Sequence, residues 1–306
     1  MTNPTVNVTG IIRDARFSPN RGEADAAIFE AVASRLEANG HRVARLTEAQ
    51  FLNAFPDDNP TYDPAIDKLI SQTTCIFTMG RENATTCMLD VVERFQHIRC
   101  VNTARGIAIC NNRSLLYEQM QRAGIPQPQT WFGSLYQERW DNDPVDAYEL
   151  AQALPYPLWL KRADGPSLVK EDVVYAGQAA QAQTVLKAFS QRHIEEVAFC
   201  QHIDGDLIKF YGVAGTAFFD WDYTNLSQSK FGQEVVNGAP HRYALHAAQL
   251  QTQCNVLAER IGVPVYGGDA IVRKDGTYVI IDFNDWPSFS RCREQAADAI
   301  VQLLLM

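Results

Sequence analysis

The run GGDAIVRKDGTYVIIDFND at 267–285 constrains this chain more than any other segment. Two strand-forming stretches, AIVRK and TYVIIDF, flank Asp275-Gly276, a dipeptide that closes tight hairpins because it tolerates positive φ. An antiparallel pair is therefore expected here, and the start of one strand then lies beside the end of the other. Asp269 begins the first strand; Asp282 and Asn284 end the second, two residues apart and hence on one face. Three oxygen-bearing side chains converge, a donor set that suits magnesium better than a soft metal. The plainer reading is a solvated strand end with a local Asn-Asp turn. Against it, Asp282 lies inside VIIDF, where a carboxylate is costly unless partnered.

Lysines supply the opposite charge. Lys161 follows the apolar run PLWL, and Lys209 interrupts LIKFYGV. A lysine within a strand pattern needs an anion or a long snorkelling stem. Either one alone reads as a solvated strand face. Two of them, from two lobes and taken together with the acidic trio, can grip the phosphates of a nucleotide between them. The turn DGPSLVKED at 164–172 offers Gly165, Ser167 and Lys170 as a flap over such phosphates, a weak signal by itself. Asp204 and Asp206 flank Gly205, either as a polar turn or as a partner for ribose hydroxyls, with the preceding strand FCQHI reading the base. Arg13, Arg16 and Arg21 follow the first strand, Arg81 the third, and Arg291 and Arg293 the metal strand. Strand ends of this kind are where α/β units bind ligands, and arginine there suits carboxylate or phosphate. Arg81 stands out because MGREN lies between a strand and a helix N-terminus.

The rest of the chain places these residues in three units. Strands are expected at 5–13, 41–46 and 73–79, with helices over 22–39 and through Met88–Phe95. That alternation predicts a parallel α/β unit over 1–103. A helix over 112–124, strands at 156–165, 173–177 and 196–203, and a helix at 179–192 make a second unit, 104–204. The third, 205–306, has strands at 207–213 and 217–223, helices at 241–261 and 291–305, and the metal hairpin between the helices.

The chain has 306 residues, large enough for several packed units, and its net charge of −9 argues against a nucleic-acid or anionic-membrane surface. No apolar run is long enough to span a membrane, and the N-terminus lacks the pattern of a secretion signal, so a cytoplasmic location is expected. The seven cysteines are scattered, with no CxxC pair, which predicts buried reduced thiols rather than zinc ligands. His193 and His202 are candidate bases by residue type alone, and no dedicated general base stands out.

The order of lysine strand, small flap, second lysine and terminal D…DxN hairpin resembles the ATP-grasp superfamily over about residues 104–306. The first unit looks like the α/β domain that precedes the grasp in these enzymes, so the expected fold is a Rossmann-like pre-ATP-grasp domain followed by a two-lobed ATP-grasp. KRADGPSLVKED, GDLIKFYGV and IIDFNDWPSF are most similar to the branch of ribosomal protein S6 glutamate ligases and inositol-phosphate kinases. The resemblance implies ATP between two lobes, with magnesium (manganese able to substitute) on Asp269, Asp282 and Asn284. It implies Lys161 and Lys209 on the phosphates, Gln201, His202 and Ile203 along adenine, and Asp206 near ribose. Lys170 falls where kinases of this branch place a phosphate-handling flap residue; Arg81 and Arg13 are the candidates for handling the acceptor. Two departures stand out: Asp285-Trp286-Pro287-Ser288 replaces the usual Pro-Gly, and no arginine follows Gly205.

Two reactions fit. In one, a carboxylate takes the γ-phosphoryl group and an amine then displaces phosphate. In the other, a hydroxyl of an inositol phosphate or similar polyol takes the phosphoryl group and the reaction stops. The ligase is preferred because it is the commoner use of this fold, and because basic residues are too few for a heavily phosphorylated acceptor. A nucleotide-binding regulatory protein is the third reading; it would not need the whole acidic trio and both lysines. The expected partner is a small anionic acceptor, with no nucleic acid or membrane, and the family suggests a homodimer.

Overall fold

The computed structural model describes residues 5–18, 22–56, 59–136, 145–224 and 236–306. Three four-stranded sheets follow one another along the chain. The first unit contains β1 (Asn7–Ile12), α1 (Gly22–Ala38), β2 (Arg42–Thr47), α2 (Glu48–Leu52), α3 (Pro64–Ser71), β3 (Cys75–Thr78), α4 (Asn83–Glu93) and β4 (Arg99–Val101). Its sheet is parallel, in the order β2-β1-β3-β4. The helical period of α1 is realised: Ile28, Phe29, Val32 and Leu36 are all buried. Two short helices and an edge strand go beyond the sequence reading. The five-residue α2 is too short for a periodic signal and is held by a Thr47–Gln50 capping box.

The second unit opens with α5 (Ala104–Asn111) and α6 (Arg113–Arg122). Only α6 was expected; Asn112 divides the two helices, its side chain accepting from Leu115 N at 3.0 Å. Then come β5 (Thr130–Ser134), α7 (Ala147–Ala153), β6 (Leu158–Arg162), β7 (Val173–Ala176), α8 (Ala179–Gln191) and β8 (Glu196–Gln201). Their sheet is antiparallel, in the order β5-β8-β6-β7. β6 and β7 pair as the expected hairpin.

The third unit has β9 (Asp206–Val213), β10 (Phe219–Tyr223), α9 (Ala247–Ile261), β11 (Val265–Val272), β12 (Tyr278–Asp285) and α10 (Arg293–Leu304). The sheet order is β10-β9-β11-β12, antiparallel throughout. α9 starts six residues later than the expected 241, because the chain at His241 and Tyr243 donates to the buried Asp206 carboxylate instead of forming a helical turn.

The strand sets fall within 1–103, 104–204 and 205–306, but the last helix does not stay with its sheet. The apolar face of α10 (Ala296, Ala297, Ile300 and Leu304) enters the core built by Val8, Ile28, Phe29 and Val32 of the first unit. Arg35 of α1 reaches Glu294 and Asp298 across the same contact, at 2.5 and 2.6 Å. At the far end, the Asn102 side chain brackets Val265, donating to its carbonyl at 2.8 Å and accepting from its N–H at 3.0 Å. Both contacts join the first unit to the third. Among the described residues no helix is long and apolar enough to cross a membrane.

Candidate active site

All three units contribute to one cavity of about 300 Å³. Its floor is a row of residues across the third sheet: Lys209 of β9 is opposite Asp269 of β11, which is opposite Asp282 of β12. Lys209 Nζ reaches Asp269 Oδ1 at 3.1 Å. Asn284, two residues beyond Asp282, donates to Asp282 Oδ2 at 2.9 Å. The trio expected from the hairpin is therefore adjacent, and all three residues line the cavity. Gly268 is required here, since a Cβ would stand 2.2 Å from the Asp282 carbonyl.

A feature the sequence did not signal is a β-bulge. The register slips between Asp269 and Ala270, so that Ile281 has no opposite residue. Lys161 of β6 donates to the freed Ile281 carbonyl at 3.1 Å and is itself buried. The lysine of the second unit is thereby held over β12 of the third. Arg113, absent from the sequence reading, spans the same gap. It donates to the Arg162 carbonyl (2.8 Å) and Ser167 Oγ (3.0 Å) and approaches Asp282 Oδ1 at 3.4 Å. Its only prior signal was its position at the start of α6. Burial raises the pKa of Asp282, but Arg113, Lys161, the Asn284 amide and Arg81 outweigh it, leaving the carboxyl below its ordinary range and ionised at neutral pH.

Of the residues expected along adenine, Gln201 and Ile203 line the cavity. His202 does not: its ring accepts from Trp159 Nε1 at 3.0 Å and lies 3.3 Å from Asp204 on the other side. It positions Trp159, which does line the cavity. Asp206 is also displaced from its expected role. It is buried, and its two oxygens take the N–H groups of His241 (2.7 Å) and Tyr243 (2.8 Å), so it anchors a loop rather than facing ribose. Lys170 sits on an exposed turn 3.8 Å from Glu171, outside the cavity, because the one-turn helix Lys170–Asp172 directs its buried Asp172 inward to Arg192 and leaves Lys170 in solvent. Gly165 and Ser167 of that flap do line the cavity. Arg16 is exposed and paired with Asp14 and Glu82, and Arg291 is paired with Asp220 and Asp222. Arg21 lies outside the described residues.

The remaining wall comes from the first unit. Buried Glu48 of α2 accepts from the backbone N–H groups of Asp14 (2.7 Å), Arg81 (3.1 Å) and Glu82 (2.8 Å), fixing together the loops after β1 and β3. Those loops carry Arg13 and Arg81. Arg13 donates to the carbonyls of Met79 (3.0 Å) and Trp286 (2.9 Å) and to Asp25 Oδ2 (3.2 Å). Burial, then the nearby Arg81 charge, lower its pKa. Arg81 uses one nitrogen twice, for Asp285 Oδ1 at 2.6 Å and the Asp285 carbonyl at 3.2 Å. Among the described residues, its Nε and the other oxygen of the fully buried Asp285 have no hydrogen-bond partner. Such an orphaned buried group typically costs about 1–3 kcal/mol. Asp285 and Trp286 are thus gripped by the two arginines, and the buried Trp286 stacks on Phe77 with ring centroids 5.5 Å apart.

The fold as a whole has counterparts among solved structures. The RimK domain ATP-grasp protein from Sphaerobacter thermophilus is 17% identical with a TM-score of 0.64, over 98% of this chain and all of that one. The VanG D-Ala:D-Ser ligase from Enterococcus faecalis is 12% identical with a TM-score of 0.66, over 99% of this chain and all of that one. D-alanyl-alanine synthetase A from Vibrio cholerae is 11% identical with a TM-score of 0.66, over 100% of this chain and 99% of that one. This chain has the ATP-grasp fold. No protein-family model and no curated protein matches its sequence.

Within the ATP-grasp frame, the donor set at the hairpin fits a magnesium ion. Two carboxylates and an amide on neighbouring strands are hard oxygen donors, and a half-turn of the Asn284 amide presents Oδ1 in place of Nδ2. Lys209 and Arg113, lying against Asp269 and Asp282, show that both carboxylates already draw positive charge.

Proposed function

We propose that the chain joins a carboxylate to an amine in an ATP-dependent ligation that proceeds through an acyl phosphate. The observation that carries this reading is the row Lys209–Asp269–Asp282, with Lys161 held over it on the bulged Ile281 carbonyl. Lys161 and Arg113 from the second unit meet Lys209 of the floor, as needed to hold a triphosphate by its charge. Trp159, Gln201 and Ile203 then flank the base. Magnesium on Asp269, Asp282 and Asn284 would offset charge on the phosphate oxygens.

In the first step an oxygen of the carboxylate substrate forms a bond to the γ-phosphorus, and the bond from phosphorus to the bridging oxygen of ADP breaks. In the second, the amine nitrogen bonds to the acyl carbon, phosphate leaves with the former carboxylate oxygen, and the nitrogen loses a proton. Lys161, Lys209 and Arg113 contribute by positioning and charge neutralisation. The ATP-grasp ligases with the same fold support the choice of reaction.

Charge separates this reading from the phosphorylation of a phosphorylated polyol. The far wall presents Arg13 and Arg81 against Asp25 and Asp285, a neutral set that suits a carboxylate or amine better than a polyphosphate. Product analysis tests the proposal. Incubation with magnesium, ATP and a matrix of small carboxylates and amines is expected to release ADP and inorganic phosphate with formation of an amide. A phosphorylated acceptor without free phosphate rejects the ligase, and absence of magnesium-dependent ATP binding rejects ATP use altogether.

A further inference from the structure

The loop that Asp206 anchors brings one side chain to the cavity. Asn237, which follows β10 and precedes α9, lines it together with Gln201, Ile203 and Trp159. Its Nδ2 donates to the carbonyls of Ile203 at 3.1 Å and Gly205 at 3.3 Å. Carbonyls only accept, so the amide has one orientation: the NH2 group faces these two oxygens and Oδ1 faces away from them. Among the described residues nothing donates to that oxygen, and at this atom the half-buried Asn237 is not sealed from solvent. Further along the loop, Asp206 holds the N–H groups of His241 and Tyr243, and the Tyr223 hydroxyl donates to the Tyr243 carbonyl. A loop pinned on both sides of a single oriented acceptor is pre-organised to read a donor.

The strands say what that donor belongs to. Leu207 and Ile271 are opposite each other, two residues from the Lys209–Asp269 pair and on the same face. Trp159 stands two residues from Lys161 on β6, again on one face. All three line the cavity, so an apolar and aromatic slot lies one side-chain step from the charged row. Such a slot takes the faces of a flat ring without telling one purine from another, so discrimination falls to the ring edge.

We infer that Asn237 selects the base of the nucleotide, its Oδ1 accepting a hydrogen bond from the exocyclic amino group of adenine. This rests on the ATP reading above. The Ile203 carbonyl is engaged by Asn237 Nδ2, and Asn237 presents its own carbonyl oxygen in its stead. An amino group completes that oxygen, whereas a carbonyl at the same ring position, as in hypoxanthine or guanine, sets acceptor against acceptor. Asp206 then serves the nucleoside indirectly, by fixing the loop that carries its reader.

The full chain with magnesium is titrated by calorimetry with ATP, with purine riboside triphosphate, which lacks only the amino group, and with ITP, which has a carbonyl there. ATP is expected to bind about tenfold or more tighter than either analogue. Asn237→Ala should bring the three within about twofold of one another, by weakening ATP and leaving the analogues as they were. A residue that merely tethered the loop would, on removal, weaken all three alike and leave their ratio standing. That outcome overturns the inference, as does a wild type that binds ATP and purine riboside triphosphate equally. Asn237→Ser, too short to reach the base, gives the same reading if the alanine variant does not fold. A wild type that binds none of the three strikes instead at the ATP reading itself, so the two failures are distinct.

Discussion

The two ends of the cavity are built on different principles. The end proposed for the nucleotide is one register of one sheet: Lys209, Asp269 and Asp282 are direct neighbours across β9, β11 and β12. The arginine wall is assembled from chain segments far apart in sequence, with Arg81 meeting Asp285 across 204 positions and Arg13 meeting Trp286 across 273. The nucleotide end lies half-exposed and can exchange partners with a ligand, whereas the Arg13 clamp is buried and holds two units together. Mutations at the first should therefore impair chemistry, and mutations at the clamp should impair stability.

The largest expected effect breaks the clamp. Arg13→Met removes the donor to the Met79 and Trp286 carbonyls and leaves Asp25 with only Ser18 Oγ, at 2.5 Å, among its described side-chain partners. Stranding buried partners should cost about 3–5 kcal/mol. Chemical denaturation would read this as an earlier midpoint at unchanged slope; an unchanged midpoint would mean the clamp holds nothing. Next comes Asp282→Asn at the nucleotide end. The fold should survive, because Asp282 is only half-buried, while kcat falls about 100- to 1000-fold with the loss of the ionised carboxylate. Retained turnover would remove Asp282 from the magnesium proposal. Lys161→Met should follow, raising KM for ATP about 10- to 100-fold, since Lys161 is the charge held over the floor. Steady-state kinetics with ATP as the varied substrate would show it.

The same contrast explains what could be read from the sequence. Asp275-Gly276 fixes a hairpin, and the hairpin fixes which ends meet, so Asp269, Asp282 and Asn284 follow from local spacing. Lys161 was visible as a lysine in an apolar strand, but the bulge that frees the Ile281 carbonyl was not, because one extra residue leaves the strand pattern unchanged. Asp206 and His202 show the opposite failure. Each is beside the cavity in sequence, yet each spends its polar atoms on neighbours, Asp206 on a loop and His202 on Trp159. Arg113 was missed because a cation at a helix start has many ordinary explanations. The departure at Asp285–Ser288 was noticed as a substitution, but its meaning lies in Arg13 and Arg81, which no spacing connects to it.

The smallest effect distinguishes the two ends without catalysis. Cys110 of α5 lines the cavity beside Arg81 and Asp285. Burial, and after it the Asp285 charge, push its thiol well above the ordinary value, with Arg81 opposing. The thiolate is the reactive form, so Cys110 should be nearly inert to iodoacetamide at neutral pH, while the exposed Cys87 is alkylated first. Lys161→Met should leave this order intact, because it alters the lid side of the cavity. Arg13→Met should speed Cys110 labelling, because opening the clamp lets water and reagent reach the wall. Peptide mapping by mass spectrometry over a labelling time course reads both. If Lys161→Met exposes Cys110 as much as Arg13→Met does, the two ends are mechanically one, and the division between a reactive floor and a structural wall is wrong.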